Sequence, residues 1–207
     1  PPQLWTDRFL ILYGCPMGRP RTFDIDAAVD RAMELFWRQG FEATSTEDLV
    51  EGLGIARGSL YKAFGSKEQL YALALRRYCQ RHAEGLVEVL DRAEQVRPAI
   101  RAVLLELVEA DLADPERGCL LVNAATERST HPDTVQQVSR TMGRIESALA
   151  GALERARARG EIAADKKPRE LAQFLTTFIQ GLRVMGKARA DREFLDNAVE
   201  VALGALD

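Results

Sequence analysis

A short segment near the amino end of the chain brings hydrogen-bond donors together on one side of a predicted helix. Residues 57–64 read RGSLYKAF, in which Leu60 and Phe64 are four residues apart and define an apolar face. The other face carries two cations and two hydroxyls, namely Arg57, Ser59, Tyr61 and Lys62. Such side chains bind phosphate oxygens and base edges, and a single helix fits the major groove of DNA. The chemistry indicated is recognition of duplex DNA.

The residues that an enzyme active site needs do not occur in a suitable arrangement. The chain has two histidines, His82 on a long predicted helix and His131 beside a proline. We find no nucleophile elbow, phosphate-binding loop or paired metal-ligand spacing. The sequence therefore predicts no catalytic residue, no metal and no cofactor. A small helical enzyme using Tyr78 and His82 is the least favoured alternative.

Two short helices joined by a glycine turn surround the segment at residues 57–64. Thr46 has the side chain of an N-cap and two acidic residues follow it, so a helix is expected to begin there. Gly54 should end this helix, because glycine readily adopts the left-handed conformation of a sharp stop. The next helix is predicted from Ala56 or Arg57 to about Phe64. Two such helices form a helix-turn-helix, whose second helix reads DNA.

The same region resembles the DNA-binding domain of the tetracycline-repressor (TetR) family of bacterial regulators, over roughly Ile25 to Leu70. Many spaced positions agree at once: Gly40, Phe41, Thr44, Ser45, Thr46, Leu49, Val50, Gly54, Ile55, Gly58, Ser59, Leu60, Tyr61, Phe64 and residues 66–70. Ala63 departs from the family pattern, which more often has an aromatic residue or histidine there.

The resemblance implies a homodimeric transcriptional regulator, a repressor released from a palindromic operator by a small-molecule effector. Its double-stranded DNA contacts would come from a short basic arm, from the helix-turn-helix and from the start of the following helix. The residues concerned are Arg19, Arg21, Ser45, Thr46, Arg57, Gly58, Ser59, Tyr61, Lys62 and Lys67. Lys67 and Thr46 would contact phosphates, while Gly58 would allow close backbone approach.

Length and composition set limits on the class of protein. The chain has 207 residues, 46% of them hydrophobic, and a net charge of -3, so DNA binding depends on where the cations lie rather than on overall basicity. No apolar run approaches the ~18 residues needed to span a bilayer, so no membrane association is expected. The three cysteines, Cys15, Cys79 and Cys119, are too widely spaced for a disulfide framework and favour a cytoplasmic location.

Helical periodicity recurs along the chain and predicts an all-α fold of about nine helices. We expect three parts: residues 1–17 as an N-terminal extension or upstream segment, 18–68 as the DNA-binding domain, and 69–207 as a ligand-binding and dimerisation domain. Met17 reads like a natural beginning, and the alternative is an extension that packs on the body.

Caps and breakers predict the remaining helices. Asp26 should cap a helix from Ala27 to about Gln39, and Ser66 should cap one that runs to about Arg92 and joins the two domains. Val135 opens the expected inward-facing series of the helix that follows His131. The other helices are expected at Pro98–Ala113, at 119–127, from His131 to about Arg159, from Pro168 to about Ala188 and after Asp191.

The last two helices are apolar on more sides than one partner requires, which favours a homodimer built around a four-helix bundle. Gly181 and Gly186 would permit close helix approach. The alternative is that both faces are covered within one protomer. The predicted dimer interface consists of Leu175, Ile179, Leu182, Phe194, Leu195, Val199 and Leu203.

A bundle with apolar walls and a few polar points is typical of a small-molecule site. The candidate pocket residues are Tyr78, Cys79, His82, Leu86, Leu107, Val108, Cys119, Val122, Asn123, Thr126, Met142, Phe174 and Phe178. Each also has a purely structural interpretation: Phe174 and Phe178 as core, Asn123 as a helix-end hydrogen bonder, and the cysteines as small apolar fillers.

Two further functions are compatible with the sequence. One is a helical module that binds a ligand or a protein without specific DNA binding. The other is a regulator that senses oxidants or electrophiles through Cys79 or Cys119, which would require an accessible thiolate.

Overall fold

The computed structural model describes residues 23–188 and 191–207, and these residues form nine α-helices. Arg19, Arg21 and the predicted extension at 1–17 lie outside the described residues. The helices are α1 Ile25–Gln39, α2 Thr46–Leu53, α3 Arg57–Phe64, α4 Lys67–Arg92, α5 Val96–Ala113, α6 Leu120–Glu127, α7 Pro132–Ala158, α8 Pro168–Lys187 and α9 Arg192–Gly204. The predicted all-α class is confirmed for the described part of the chain.

Side-chain caps fix where the first helices begin, and two predicted caps are wrong by one or two residues. Asp24 caps α1, because its carboxylate accepts from the backbone N–H groups of Asp26 and Ala27. Ser45, rather than Thr46, caps α2 through a reciprocal capping box with Asp48. Both errors arise because adjacent residues of equal capping ability cannot be ranked from local sequence.

Several predicted breakers and caps are confirmed. Gly54 ends α2 with a φ of 66°, in the left-handed region that glycine tolerates. Ser66 caps α4 and Asp191 caps α9, each by accepting a backbone N–H in the first turn. The fifth helix begins at Val96, two residues before the predicted start at Pro98.

We refer to α1–α3 as the head and to α4–α9 as the body. One buried apolar cluster joins the head to the first half of α4 and to α6, and includes Phe36, Leu49, Leu60, Tyr71 and Tyr78. A second cluster lies within the body and joins α5, α7, α8 and α9. The predicted domain boundary at residue 68 therefore falls inside a continuous helix and a shared core.

The fourth helix connects the two clusters. Its 26 residues span about 39 Å at 1.5 Å per residue. Its first turns pack on α1, and further along it packs on α7. A displacement of the body end of α4 would therefore be transmitted to the head.

The last two helices keep one apolar face within the protomer and one outside it. Gly186 allows α8 to approach α5, since a Cβ there would lie 2.5 Å from Asp111 Oδ2, whereas Gly181 has open space beside it. Within the described residues, no helix combines the length and apolar composition needed to cross a membrane.

Candidate nucleic-acid interface and body cavity

The third helix presents the predicted recognition residues on the outside of the head. Leu60 and Phe64 are buried, and their burial turns the opposite face of α3 outward. Arg57, Tyr61 and Lys62 are exposed on that face. Gly58 is exposed with open space beside it and Ser59 is half-buried. The exposed cations and hydroxyls lie on one helix of eight residues, which suits insertion into a groove.

Contacts between α2 and α3 hold this face in shape. The Thr46 and Tyr61 hydroxyl oxygens are 3.5 Å apart, and Arg57 forms an exposed ion pair with Glu47. The guanidinium of Arg57 also lies 6.0 Å from the centre of the Tyr61 ring. The hydrogen bond with Thr46, followed by the proximity of Arg57, lowers the pKa of Tyr61 from its usual value. These exposed contacts can exchange for DNA contacts at modest cost.

Two other candidate DNA-contacting residues, Ser45 and Lys67, already make contacts within the protein. The Ser45 hydroxyl donates to Asp48 Oδ2 over 2.7 Å and accepts from Asp48 N over 3.0 Å. Lys67 begins α4, and its Nζ lies 4.3 Å from the centre of the Phe41 ring, a cation–π distance. Ser45 is therefore first of all a helix cap, whereas Lys67 sits half-exposed beside the recognition helix.

A cavity of about 540 Å³ lies within the body, next to its junction with the head. Its walls come from α4, α5, α7 and α8, from the segment before α6, and from Trp37 on α1. This volume is within the usual range for small-molecule sites, ~300–1,000 Å³. Because Trp37 belongs to the head, the cavity touches both parts of the molecule.

Six of the thirteen candidate pocket residues line this cavity: Tyr78, Cys79, His82, Leu86, Leu107 and Cys119. The other seven lie elsewhere. Val108 is buried in the body core, Phe178 packs beside that core, and Phe174 is exposed. Val122 and Met142 pack against the head-side cluster, Thr126 bonds its own helix, and Asn123 accepts from Lys187 over 3.4 Å.

A backbone carbonyl at the cavity wall joins the head to the body. The carbonyl of Gly118 accepts hydrogen bonds from Trp37 Nε1 over 2.9 Å and from Arg183 over 2.6 Å. Arg183 also forms a buried ion pair with Asp111 at 2.8 Å. Arg117 stacks 3.7 Å from the Trp37 ring centre and pairs with Glu34 on α1. Head, α5 and α8 therefore meet at residues 117–118.

The carboxyl end of α6 makes a second contact with the head. Glu127 Oε2 accepts the backbone N–H of Phe41 over 2.9 Å, in the turn between α1 and α2. The buried guanidinium of Arg128 lies 3.7 Å from the centre of the Phe41 ring. The Phe41 ring thus has both Arg128 and Lys67 at cation–π distance. The head is therefore contacted at the carboxyl end of the eight-residue α6, by Glu127 and Arg128, and just before its amino end, by Gly118.

Three titratable groups at the cavity, those of His82, Tyr78 and Cys79, have pKa values shifted in favour of their neutral forms. His82 lines the cavity and its side chain remains exposed to solvent, but partial burial among neighbouring protein atoms, together with Arg183, Arg117 and Arg81, lowers its pKa to about 4. Burial raises the pKa of the Tyr78 hydroxyl, which donates to Cys119 Sγ over 3.4 Å. Burial likewise raises the pKa of the Cys79 thiol. A protonated thiol is a poor nucleophile, so this feature disfavours sensing through Cys79.

The predicted dimer residues need correction. Leu175, Leu182, Leu195, Val199 and Leu203 are buried in the core of their own protomer, and Ile179 lines the cavity, which leaves only Phe194 exposed. Val135 is also exposed rather than inward. Periodicity finds apolar faces but does not say which one meets the protomer's own core. The exposed apolar residues of α8 and α9 are Phe174, Val184, Met185, Phe194 and Val201.

Sequence reasoning missed the residues that join the head to the cavity. None of Trp37, Asp111, Arg117 and Arg183 is among the predicted site residues. A charged residue inside the apolar series of α8 is a signal that could have identified Arg183, because a buried charge needs a partner. The partner of Arg183 is Asp111, which lies 72 residues earlier in the chain, and no local pattern reveals a pairing over that separation. Among the described residues, no group of three or more potential ligands could hold a metal ion.

Two protein-family descriptions match this chain. "Bacterial regulatory proteins, tetR family" matches residues 28–74, and "Tetracyclin repressor-like, C-terminal domain" matches residues 94–202. These matches coincide with the head plus the start of α4, and with most of the body.

Curated relatives and solved structures agree with the family matches. The uncharacterised HTH-type transcriptional regulator YezE of Bacillus subtilis (strain 168) is 36% identical over 92% of this chain and 100% of its own length. The HTH-type transcriptional repressor ComR of Escherichia coli (strain K12) is 34% identical over 86% of both chains. A cysteine mutant of the TetR family regulator CifR, complexed with 26-bp double-strand operator DNA, is 38% identical with a TM-score of 0.81, covering 92% of this chain and 100% of that one.

Proposed function

Because this chain belongs to the TetR family of bacterial transcriptional regulators, we propose that it is a homodimeric repressor released from a palindromic operator by a small molecule. The observation that carries the proposal is the geometry of α4. This helix begins beside the exposed recognition helix and continues along the wall of the body cavity. One rigid element thus connects a surface suited to DNA with a space suited to a ligand. The repressor role is supported by the relative ComR.

The recognition helix would enter a major groove, with different residues serving affinity and sequence choice. Arg57 and Lys62 supply charge, while Ser59 and Tyr61 supply hydroxyls to phosphates or base edges. Lys67, with Thr46, contacts phosphates at the groove edge. Two such helices in a dimer contact half-sites about 34–36 Å apart or further. The similar regulator CifR, a cysteine mutant of which was solved with double-strand operator DNA, supports the binding of duplex DNA.

A second copy of the chain would cover the exposed apolar side chains of α8 and α9. Phe194 is 50% exposed and Val201 is 78% exposed, both on α9. Phe174, Val184 and Met185 extend the apolar surface along α8. Two helices from each protomer would then form a four-helix bundle, which sets the distance between the two heads.

Two routes would carry ligand occupancy from the cavity to the head. One is a tilt of α4, which lies along the cavity. The other is a shift of α6, which contacts the head through Gly118 and Trp37 and through Glu127 and Phe41. Coupling between two such sites is typically ~1–3 kcal/mol, or roughly 5–150-fold in DNA affinity.

DNA binding is tested with a duplex from the region upstream of the protein's own gene. Fluorescence anisotropy across a salt series should show tighter binding to this duplex than to an unrelated one. Lys62→Ala should weaken binding, whereas Arg101→Ala in the body should not. Equal affinity for both duplexes at every salt concentration would contradict operator recognition.

Oligomeric state is tested independently of DNA. Light scattering after size exclusion should give the mass of a dimer, and Phe194→Glu with Val201→Glu should give a monomer. Glu193→Gln, also exposed on α9, is the matched control and should stay dimeric. A monomeric wild-type protein at micromolar concentration would overturn the dimer.

A further inference from the structure

We propose that the ligand of the body cavity is an uncharged, largely apolar ring compound with one hydroxyl or similar hydrogen-bonding group, oriented by His82. This inference rests on the proposed function, because it names the chemical class of the effector. It follows from three features of the cavity wall: its charges, its aromatic rings and its spare hydrogen-bonding capacity.

Each of the four arginines that line the cavity already has a carboxylate partner. Arg183 pairs with Asp111 and Arg117 pairs with Glu34. Arg81 lies 2.9 Å from Asp30, and Arg92 lies 2.7 Å from Glu88. At the buried Arg183–Asp111 pair and the half-buried Arg117–Glu34 pair, an anionic ligand would have to compete with a carboxylate for its cation while losing its own hydration, which is unfavourable. The exposed Arg81 and Arg92 pairs contribute less to this exclusion.

The three acidic residues of the wall do not favour an anion either: Glu88 pairs with Arg92, and Asp114 pairs with Arg38. Glu106 lines the cavity mouth without an ion pair among the described residues, and it is exposed to solvent. A cation deeper in the cavity is also disfavoured. The guanidinium groups of Arg183, Arg117 and Arg81 line the same cavity as His82 and would repel a ligand cation placed there. The wall therefore selects an uncharged molecule.

One side of the cavity is built from three rings. The Trp37 and Tyr78 ring centres are 4.7 Å apart at 78°, and those of Trp37 and His82 are 5.7 Å apart at 90°. Apolar side chains, including Leu86, Leu107 and Ile179, supply other parts of the wall. Rings at such angles leave faces and edges that suit a further ring in a stacked or edge-on position. A volume of about 540 Å³ has room for a molecule of two or three rings.

His82 is an exposed, uncharged wall residue with unused hydrogen-bonding capacity. No described residue hydrogen-bonds to its ring, and a neutral imidazole offers one donor and one acceptor. The Tyr78 hydroxyl, by contrast, already donates to Cys119. Gln180 adds a second polar point, since its Oε1 is buried without a partner while its Nε2 donates to Thr176 O over 3.3 Å. A ligand hydroxyl can bind at His82 without breaking an existing contact.

The test is calorimetric titration of the full chain, without DNA, with 4-phenylphenol, biphenyl and biphenyl-4-carboxylate. These three probes share a ring system and differ in carrying a hydroxyl, no polar group or a negative charge. We expect 4-phenylphenol to bind about two- to tenfold more tightly than biphenyl, the gain of one net hydrogen bond, and the carboxylate to bind most weakly.

His82→Leu separates a positioning role from simple packing. In this variant, 4-phenylphenol should bind no better than biphenyl, while biphenyl affinity should stay within about twofold, which also shows that the cavity remains folded. Trp5→Phe leaves Trp37 as the only tryptophan, so its emission reports whether the probes bind in this cavity.

Three outcomes would overturn the inference: tightest binding of the carboxylate, an unchanged hydroxyl preference in His82→Leu, or no probe binding. Operator affinity of the ligand-free protein is measured in parallel. If the operator affinity is normal while no probe binds, the proposed ligand class is wrong and the DNA-binding function stands. If ligand-free protein does not recognise its operator, the proposed function itself fails.

Discussion

The recognition face of α3 and the wall of the body cavity use similar side chains in opposite ways. On α3, the cations Arg57 and Lys62 are exposed, and Arg57 is held by a surface ion pair. At the cavity, the guanidinium of Arg183 is buried and bonded to one carboxylate and two backbone carbonyls, those of Gly118 and Leu107. Exposed cations can exchange partners for DNA phosphates, whereas the buried one fixes the packing of helices.

This difference separates stability from recognition within one chain. Substitutions on the recognition face should change DNA affinity with little effect on unfolding, because solvent replaces what is lost. Substitutions among the buried polar groups should change stability first, since an orphaned buried group pays its full desolvation cost. The following predictions test that separation, beginning with the largest expected effect.

Removing the buried carboxylate of the ion pair should cost the most stability. Asp111→Asn leaves the Arg183 charge without its counter-charge, and breaking a buried pair typically costs ~3–5 kcal/mol. Urea unfolding followed by circular dichroism should show a loss near the lower end of that range, because asparagine still accepts a hydrogen bond. Glu109→Gln on the same helix, whose partner Arg192 is exposed, is the control and should change stability little. Similar losses of stability in the two variants would contradict the proposed difference between buried and exposed ion pairs.

Removing a cation beside the recognition helix should affect DNA binding instead. Lys67→Ala should lower affinity about tenfold for every duplex alike, the effect of one lost phosphate contact, and reduce the salt slope by about 1. Lys67→Arg keeps the charge and should retain most of the affinity. If Lys67→Ala changed base preference and left affinity intact, a phosphate role would be wrong.

The hydrogen bond between the head and the cavity wall should have an intermediate effect on stability. Trp37→Phe keeps an aromatic ring but removes the N–H that donates to the Gly118 carbonyl, which should cost about 1 kcal/mol. Thermal or urea unfolding measures the loss, and Trp5→Phe is the matched control. An unchanged free energy of unfolding would show that the hydrogen bond from the indole N–H to the Gly118 carbonyl is no more favourable than its hydrogen bond to water.

The smallest predicted effect is a change in pH dependence, because solvent around the exposed His82 side chain screens its charge. His82 has a folded pKa of about 4, so in the unfolded chain it takes up a proton at higher pH, near 6.5. The free energy of unfolding therefore decreases as pH falls from about 6.5 to 4, and His82→Gln should lose less stability across this window.

The quantity compared is the difference in free energy of unfolding between wild type and His82→Gln at each pH, measured by urea unfolding. Burial raises the pKa of Asp111 to about 6, against the opposing attraction of Arg183, so its contribution runs the other way and is common to both. Parallel pH profiles for wild type and His82→Gln would contradict a depressed histidine pKa.

Much of the head was predictable from sequence because its determinants are local. The spacing of Leu60 and Phe64 determines which face of α3 is buried, and Gly54 with Ser66 places two helix boundaries correctly. The errors at Asp26 and Thr46 amount to one or two residues and leave the helix faces unchanged. These are interactions within about four positions along the chain, the range over which helical sequence patterns hold.

The cavity was predictable only in part, because its walls come from distant segments. Tyr78 and His82 share a helix face and were found together, whereas Phe174 and Thr126 had equally suitable side chains but lie outside the cavity. The same limit applies to the dimer surface, where two apolar faces of one helix looked alike. Which face turns inward depends on the neighbouring helices.

The sequence by itself determined the helices to within a few residues at their ends, the outward face of the recognition helix and the resemblance that identified the family. Only the tertiary structure decided that Trp37 forms part of a body cavity, that Asp111 meets Arg183, and that the head contacts Glu127 at the carboxyl end of α6 and Gly118 just before its amino end. The physical reason is the separation along the chain of the residues that interact. Helix formation depends on contacts a few residues apart, while buried charges and cavity walls depend on side chains that meet only after the helices have packed.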